Sequence, residues 1–159
     1  MKHWSIAARP ADFQLSEIAA TLTNGGVVLL PTDTIYGLHA LWSNPAAIER
    51  IARMKGRDAQ KPFLLLAASV AQIETMGIAV PPGLAAIWPA ALTAILPNGS
   101  STTAARVPDV AWLRRLLERT GPLASTSANR SGEPAITSPH LLAPELTQAL
   151  DGLVDGGVR

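Results

Sequence analysis

The chain has 159 residues, of which 48% are hydrophobic and 16% charged, a composition that supports one hydrophobic core and excludes a disordered protein. It contains no cysteine, which excludes disulfides, thiolate catalysis and cysteine-ligated zinc. The formal net charge of +1 is too small for the broad basic surface of a tight nucleic-acid binder. No apolar stretch near the N-terminus is long enough for a signal peptide or a membrane span, so we expect a cytoplasmic protein without a membrane partner.

The first third of the chain predicts a helix, a strand, a polar loop and a second helix. Asp12 is expected to be the N-cap of the first helix, whose apolar residues recur with helical spacing up to Leu22. A strand at 27–30 and a polar loop at 32–37 follow. Asn44 before Pro45 has the pattern of an N-cap and a first helical residue, and Gly56 is expected to end that helix.

The rest of the chain alternates short strands and helices in the same way. Strands are predicted at 63–67, 92–96, 103–107, 122–125 and 153–154, and helices at 69–76, 82–88 and 109–120, with a last helix opening at Ser138 and Pro139. No linker divides the chain, so we expect a single α/β domain over 1–159. Because several strands follow one another without a helix, a twisted mixed sheet with flanking helices is the predicted fold.

The sequence has none of the common nucleotide motifs, since it contains no GxxxxGK[ST], no GxGxxG and no HExxH. Arginine outnumbers lysine ten to three, and the planar guanidinium suits phosphate and carboxylate groups. An anion site, if present, is therefore expected to be built from separate loops.

Two loops carry candidate site residues in the first half. In the loop at 32–37, Asp33, Thr34 and Tyr36 suit a small polar substrate, or else Asp33 and Thr34 hydrogen-bond their own backbone and Tyr36 is half core. The second stretch holds Lys55, Arg57 and Lys61. A helix dipole explains Lys55, whereas a phosphate site explains all three cations.

The second half adds an arginine in an apolar strand and a small polar loop. Arg106 lies in the strand at 103–107 and is either an edge residue paired with a carboxylate such as Asp109 or a clamp for a substrate carboxylate or phosphate. The loop at 125–132 offers four hydroxyls, one amide and a glycine, which suits a phosphate or ribose but also a plain turn. The three histidines, His3, His39 and His140, show no metal-ligand spacing and are interpreted as surface or local residues, not catalytic ones.

These stretches resemble the YrdC-like threonylcarbamoyl-AMP synthase family. The shared segments are PTDTIYGL (31–38), KGRDAQKPF (55–63), WPAALT (88–93) followed by ARVP (105–108), and STSANRSGEP (125–134). The resemblance spans 25–139 and depends on the order of the segments. It implies a twisted sheet with a concave, positively lined cavity for ATP and L-threonine.

The resemblance also implies a role for each matching residue. Those expected to bind ATP are Lys55, Arg57, Lys61, Thr102, Ser127 and Asn129. Those expected to bind threonine are Thr34, Tyr36, Arg106 and Ser125.

The implied activity is that of a nucleotidyltransferase with ATP, L-threonine and bicarbonate as substrates. Threonine's amine captures CO2 as a carbamate, which attacks the α-phosphate of ATP and releases pyrophosphate. No side-chain nucleophile is needed, and Arg57, Lys61 and a Mg²⁺ that arrives with ATP are expected to stabilise charge. A tRNA threonylcarbamoyl transferase machinery is the implied downstream partner.

Two departures from the family leave other functions open. The chain ends at Arg159, before the further strand with a Ser-Thr-Val stretch that family members usually have, and Leu66 and Ala135 stand where some relatives have polar contacts. One alternative is a double-stranded RNA or tRNA-binding module without catalysis, which the near-neutral charge disfavours. Another is a carbamoyl-transfer relative acting on carbamoyl phosphate, which the lack of acylphosphatase or zinc-finger segments disfavours.

Overall fold

The computed structural model describes residues 1–6, 9–56, 62–130 and 132–158. Two residues expected to bind ATP, Arg57 and Lys61, lie outside this part of the chain. The strands are β1 Lys2–Ser5, β2 Val28–Pro31, β3 Tyr36–Leu41, β4 Leu64–Leu66, β5 Ala94–Asn98, β6 Ser101–Arg106, β7 Leu123–Ser127 and β8 Gly152–Asp155. The helices are α1 Asp12–Thr23, α2 Pro45–Met54, α3 Val70–Glu74, α4 Pro82–Ala85, α5 Ala111–Thr120 and α6 Pro144–Gln148, with a 3-10 turn at Pro139–Leu141.

The strands in the described ranges form one mixed sheet in the order β1-β8-β2-β3-β7-β4-β6-β5. Strand β8 pairs in parallel with β1 and β2, and β4 pairs in parallel with β6. The other neighbours, including the hairpin of β2 with β3 and the pairing of β3 with β7, are antiparallel. The mixed α/β sheet predicted from short strands joined without helices is therefore confirmed.

Helices cover both faces of the sheet, because side chains of successive strand residues point to opposite sides. In β2, Val28 and Leu30 pack beneath α1 and α5, whereas Leu29 packs with α2 and α6 on the other face. A third apolar cluster lies around Leu65 and Trp88 and includes Ile73 of α3. This arrangement leaves the inner strands β3 and β7 as the floor on which a site can be built.

Helix starts were predicted from capping residues with mixed success. Asn44 caps α2 by accepting a hydrogen bond from the Ala47 amide at 3.1 Å, as predicted. Asp12 is not the N-cap of α1, so that prediction is wrong. It is the first helical residue, and its carboxylate pairs at 2.6 Å with Arg119 of α5.

Two strands, β1 and β3, were not predicted, and the loop predicted at 32–37 is too long. Tyr36 and Gly37 already belong to β3, so the turn that joins β2 to β3 is confined to 32–35. Strand β1 was not predicted, because Lys2–Ser5 has a single buried residue, Trp4. The strand depends on its parallel pairing with β8, which the local sequence does not indicate. Within the described ranges, no helix is long and apolar enough to cross a membrane.

Candidate functional site

A cavity of about 220 Å³ opens between the β2–β3 turn and the strands β3, β4, β6 and β7. Its polar lining residues are Thr32, Thr34, Arg106, Ser125, Thr126 and Ser127. Leu66 belongs both to the cavity wall and to the core beneath α1 and α5. The cavity is thus a hydroxyl-rich pocket of small-molecule size, bordered by the hydrophobic core.

The β2–β3 turn is held by Thr32. Its hydroxyl donates to the Ile35 carbonyl at 2.8 Å and accepts from the Thr34 amide at 3.2 Å. The alternative in which Asp33 and Thr34 hydrogen-bond their own backbone is therefore wrong, because Thr32 fills that role. Thr34 Oγ1 lies 3.2 Å from Thr32 Oγ1, and the side chains of Asp33 and Thr34 both accept hydrogen bonds from Arg106.

Arg106 is fixed at the end of β6 by residues from two other segments. Its Nη1 donates to Asp33 Oδ1 at 3.1 Å and to Thr34 Oγ1 at 3.2 Å. Its Nε and Nη2 donate to Thr93 Oγ1 at 3.1 and 3.0 Å. The side chains of Arg106 and Asp33 are only 15% and 7% exposed. The guanidinium is therefore held in one orientation at the cavity wall.

The alternative of an ion pair is confirmed in part, because Arg106 pairs with a carboxylate, but the partner is Asp33 and not Asp109, and β6 is not an edge strand. The Asp109 carboxylate lies 3.4 Å from Arg114 of α5, and the Asp109 amide donates to Asp33 at 3.1 Å. Asp33 was missed as the partner because it lies 73 residues from Arg106 in sequence. Only the folded sheet, in which β7 and β4 lie between β3 and β6, brings these two residues together.

Strand β7 brings Ser125 and Ser127 to the cavity, in register with His39 and Gly37 of β3. The Ser125 hydroxyl lies 3.1 Å from Nε2 of His39, which is fully buried. Burial lowers the pKa of His39 from 6.5 to about 4, so the ring is neutral at physiological pH. His39 was expected to be a surface or local residue and lies instead inside the protein.

Lys55 joins the second and fourth candidate stretches. Although it follows α2 at the surface end of the helix, its side chain is buried and its Nζ donates to the Ser127 carbonyl and, at 3.4 Å, to Asn129 Oδ1. Asn129 in turn donates to the Glu133 carbonyl at 2.5 Å. Three of the residues expected at the nucleotide, Lys55, Ser127 and Asn129, are thereby drawn together at the start of the polar loop.

Tyr36 and Thr102 lie outside the cavity wall. Tyr36 is fully buried among the residues beneath α2 and α6, and its hydroxyl donates to the Gly157 carbonyl at 2.7 Å and accepts from the Gly156 amide at 2.9 Å. Thr102 is exposed near the start of β6, four residues before Arg106 and hence about 13 Å from it along the strand. Direct contact of either residue with a ligand of the cavity stays a prediction.

The described residues give the cavity a polar character, not a strongly basic one. Arg106 is the one cation among the lining residues in the described ranges, and Asp33 partly neutralises it. The same part of the chain contains no group of three or more His, Cys, Asp or Glu side chains that could hold a metal ion. The site therefore offers hydroxyl and guanidinium donors to an anionic or zwitterionic molecule.

Fold and cavity together define a mixed α/β protein with a preformed pocket for a small polar substrate. A family model described as "Telomere recombination", which covers Sua5, YciO and YrdC, matches residues 20–159. The chain belongs to the Sua5/YciO/YrdC family.

Named relatives and a solved structure agree with this assignment. The chain is 37% identical to the threonylcarbamoyl-AMP synthase of Stenotrophomonas maltophilia, with 91% of this chain and 87% of that protein covered. It is 35% identical to the threonylcarbamoyl-AMP synthase of Bacillus subtilis, with 92% of this chain covered. A crystal structure of Pyrococcus abyssi Sua5 complexed with L-threonine superposes with a TM-score of 0.90 at 29% identity, covering 99% of this chain.

Two of these proteins are much longer than this chain. The chain spans 47% of the Bacillus subtilis protein and 51% of the Pyrococcus abyssi chain, about half of each. The match therefore concerns one part of those longer proteins.

Proposed function

We propose that this chain makes threonylcarbamoyl-AMP and pyrophosphate from ATP, L-threonine and bicarbonate. The observation that carries the proposal is the fixed guanidinium of Arg106 beside the hydroxyls of Thr34 and Ser125 in one cavity. A guanidinium recognises a carboxylate, and hydroxyls can bind the amine and side-chain hydroxyl of a small amino acid. The names of the matched relatives favour the same activity.

The amino-acid end of the site consists of Arg106, Thr34 and Ser125 in this proposal. Asp33 and Thr93 engage the Nε, Nη1 and Nη2 atoms of Arg106 and keep its plane fixed. The orientation of the guanidinium is therefore set before substrate binds, so less rotamer entropy is lost on binding. Tyr36 supports this end indirectly, through its buried contacts with Gly156 and Gly157.

The nucleotide end consists of the polar loop after β7 and the cations near the end of α2. Lys55 holds the Ser127 carbonyl and the Asn129 side chain, so we assign it a supporting part in ATP binding. Arg57 and Lys61 are proposed to contact the phosphates, on the basis of their positions in the KGRDAQKPF segment. Thr102 would lie beside the nucleotide on the same strand as Arg106.

The chemistry follows from positioning and charge neutralisation. Bicarbonate takes up a proton and loses water to give CO2. Threonine's uncharged amine attacks CO2, and loss of the amine proton leaves a carbamate. A carbamate oxygen then attacks the α-phosphorus of ATP, and pyrophosphate leaves with the bond electrons. Mg²⁺ would arrive with ATP and neutralise charge on its phosphates.

The product has a mixed anhydride, which is an activated carbamoyl donor. We propose that it passes to a tRNA-modifying transferase, in keeping with the implied use of the group. No direct contact with RNA is required for the synthesis itself.

The proposal is tested by incubating the protein with ATP, Mg²⁺, bicarbonate and L-threonine and measuring pyrophosphate. Release should depend on both bicarbonate and threonine, and alanine should be a poor replacement for threonine because it lacks the side-chain hydroxyl. Pyrophosphate release that ignores threonine would contradict the proposed substrate. No release at all, with ATP and threonine both bound, would contradict the proposed activity.

A further inference from the structure

His39 lies against the inner wall of the cavity. It shares one sheet face with Gly37 and is directly opposite Ser125 in the pairing of β3 with β7. A Cβ atom placed on Gly37 would lie 2.7 Å from Cε1 and 3.2 Å from Nε2 of the His39 ring. The imidazole therefore covers Gly37 and brings its Nε2 edge to the cavity-lining strand β7.

A cavity residue is the side-chain hydrogen-bond partner of the His39 ring within the described ranges. Nε2 lies 3.1 Å from Ser125 Oγ, and Nδ1 has no hydrogen-bond partner among the described residues. Backbone groups of Gly37 and Val28 oppose the larger, burial-induced fall of the pKa. Leaving a buried ring nitrogen without a partner is costly. The bond to Ser125 is thus a more specific feature of His39 than its packing.

A serine beside a histidine also suggests an activated nucleophile, but two observations argue against it here. A pKa of about 4 makes His39 a poor acceptor for the Ser125 proton or for a proton of an α-ammonium group, whose pKa is roughly 8. Nδ1 also has no carboxylate or other orienting group within the described ranges. The pair therefore lacks both the basicity and the third group of a Ser-His catalytic arrangement.

We propose that His39 is a positioning residue, which fixes the Ser125 hydroxyl through Nε2 so that its remaining hydrogen-bonding capacity faces the amino-acid substrate. The inference rests on the proposed function, because it takes L-threonine as the ligand of the cavity. Ser125 Oγ has one donor and two acceptor positions, and the ring uses one of these. A hydroxyl with one partner already in place loses less rotational freedom when substrate binds.

Calorimetric titrations of L-threonine and of a non-hydrolysable ATP analogue test this proposal. His39→Leu should weaken threonine binding by about fivefold to tenfold, the loss of roughly one hydrogen bond, and leave the ATP analogue within about twofold. His39→Gln, whose amide can replace Nε2, should restore part of the loss. Val28→Ala is the matched control, because Val28 is buried opposite His39 in β2 and lies outside the cavity wall.

The Ser125→Ala background separates positioning from packing. If His39 acts through Ser125, His39→Leu should cause no further loss of threonine affinity once the hydroxyl is gone. An equal loss in both backgrounds, unchanged threonine binding in His39→Leu, or the same loss in Val28→Ala would each overturn the proposal.

Nitrogen NMR of the wild-type protein provides a test that does not depend on the variants folding. Saturation with L-threonine should shift the His39 Nε2 resonance, because substrate then bonds the hydroxyl that Nε2 contacts. Bound threonine without a shift would overturn the positioning role while leaving the proposed function intact. Failure of the wild-type protein to bind threonine would overturn both.

Discussion

At the scale of single residues, we propose that the selection of threonine depends most on Arg106. We expect Arg106→Lys to raise the threonine concentration required for activity strongly and to leave ATP binding almost unchanged. The reason is that a lysine ammonium cannot reproduce the planar fork that Asp33 and Thr93 hold in place. Calorimetric titration of threonine and of an ATP analogue into both proteins measures the two effects separately.

Arg114→Lys is the matched control for this change. Arg114 also pairs with a carboxylate and with a backbone carbonyl, Pro108, but it lies outside the cavity wall. The Arg114→Lys protein should bind threonine as the wild type does. Unchanged threonine affinity in Arg106→Lys would contradict the clamp, and equal loss of both ligands would indicate a collapsed cavity.

His39 predicts a pH dependence of stability in a defined window. Its pKa falls from 6.5 in the unfolded chain to about 4 in the folded protein, so the unfolded chain binds more protons between these values. The stabilising contribution is complete above pH 6.5 and is lost as pH falls toward 4, by about 3 kcal/mol at most. Urea denaturation across this range should show the loss, and His39→Leu should remove it.

A carboxylate at another site titrates in a lower range and can be distinguished from His39. Burial alone would raise the pKa of the Asp151 carboxyl. The hydrogen bonds from Arg50 and from the Val27 amide together have the larger effect, so the pKa lies below its usual 3.8. Its stabilising contribution is therefore present above about pH 4 and is lost only below it. A stability curve that is flat between pH 4 and 6.5 in the wild type would contradict the neutral, buried His39.

At the scale of elements, Tyr36, the first residue of β3, connects this strand to the residues that follow β8. Tyr36→Phe should lower the free energy of unfolding by about 1 to 3 kcal/mol, because the Gly156 amide and the Gly157 carbonyl lose a buried partner. Threonine affinity should change little, since the Tyr36 side chain packs on the opposite face from Gly37. Chemical denaturation and threonine titration would check this, and a large loss of threonine affinity without loss of stability would restore Tyr36 as a direct ligand.

The segment at 57–61 contains two cations that are predicted to bind the nucleotide. Arg57→Ala and Lys61→Ala should each weaken ATP binding by about 1.5 to 3 kcal/mol, the range for a charged hydrogen bond, and leave the fold intact. Nucleotide titration together with thermal denaturation measures both. A lower melting temperature with unchanged nucleotide affinity would show that these cations have a structural role.

Local chemistry made some elements predictable and left others unpredictable. Asn44 before Pro45 determined the start of α2, because capping depends on neighbours in sequence. The start of β3 was missed because its polar residues resemble a loop until β2 and β7 pair on either side of it. The cost of a charge in an apolar strand singled out Arg106, and the family resemblance implied its role in threonine binding. Its partner Asp33 depends on sheet register, which a single sequence does not provide.

The same limit applies to His39. Nothing in its local sequence distinguishes it from a surface histidine, and its contact with Ser125 exists only because β3 and β7 are neighbours. The one signal in the sequence is that His39 stands between two apolar residues, Leu38 and Ala40. This pattern is typical of a buried strand and could have indicated a buried histidine.

At the scale of the whole molecule, the proposed activity requires one cavity to join bicarbonate, threonine and ATP in a single product. The direct measurement is mass spectrometry of the adenylate formed from ¹³C-bicarbonate, L-threonine and ATP. We predict a threonylcarbamoyl adenylate that carries the heavy carbon, formed in equal amount with pyrophosphate and strongly reduced in Arg106→Lys. Threonyl adenylate without the heavy carbon, or bound ligands with no adenylate at all, would contradict the proposed function.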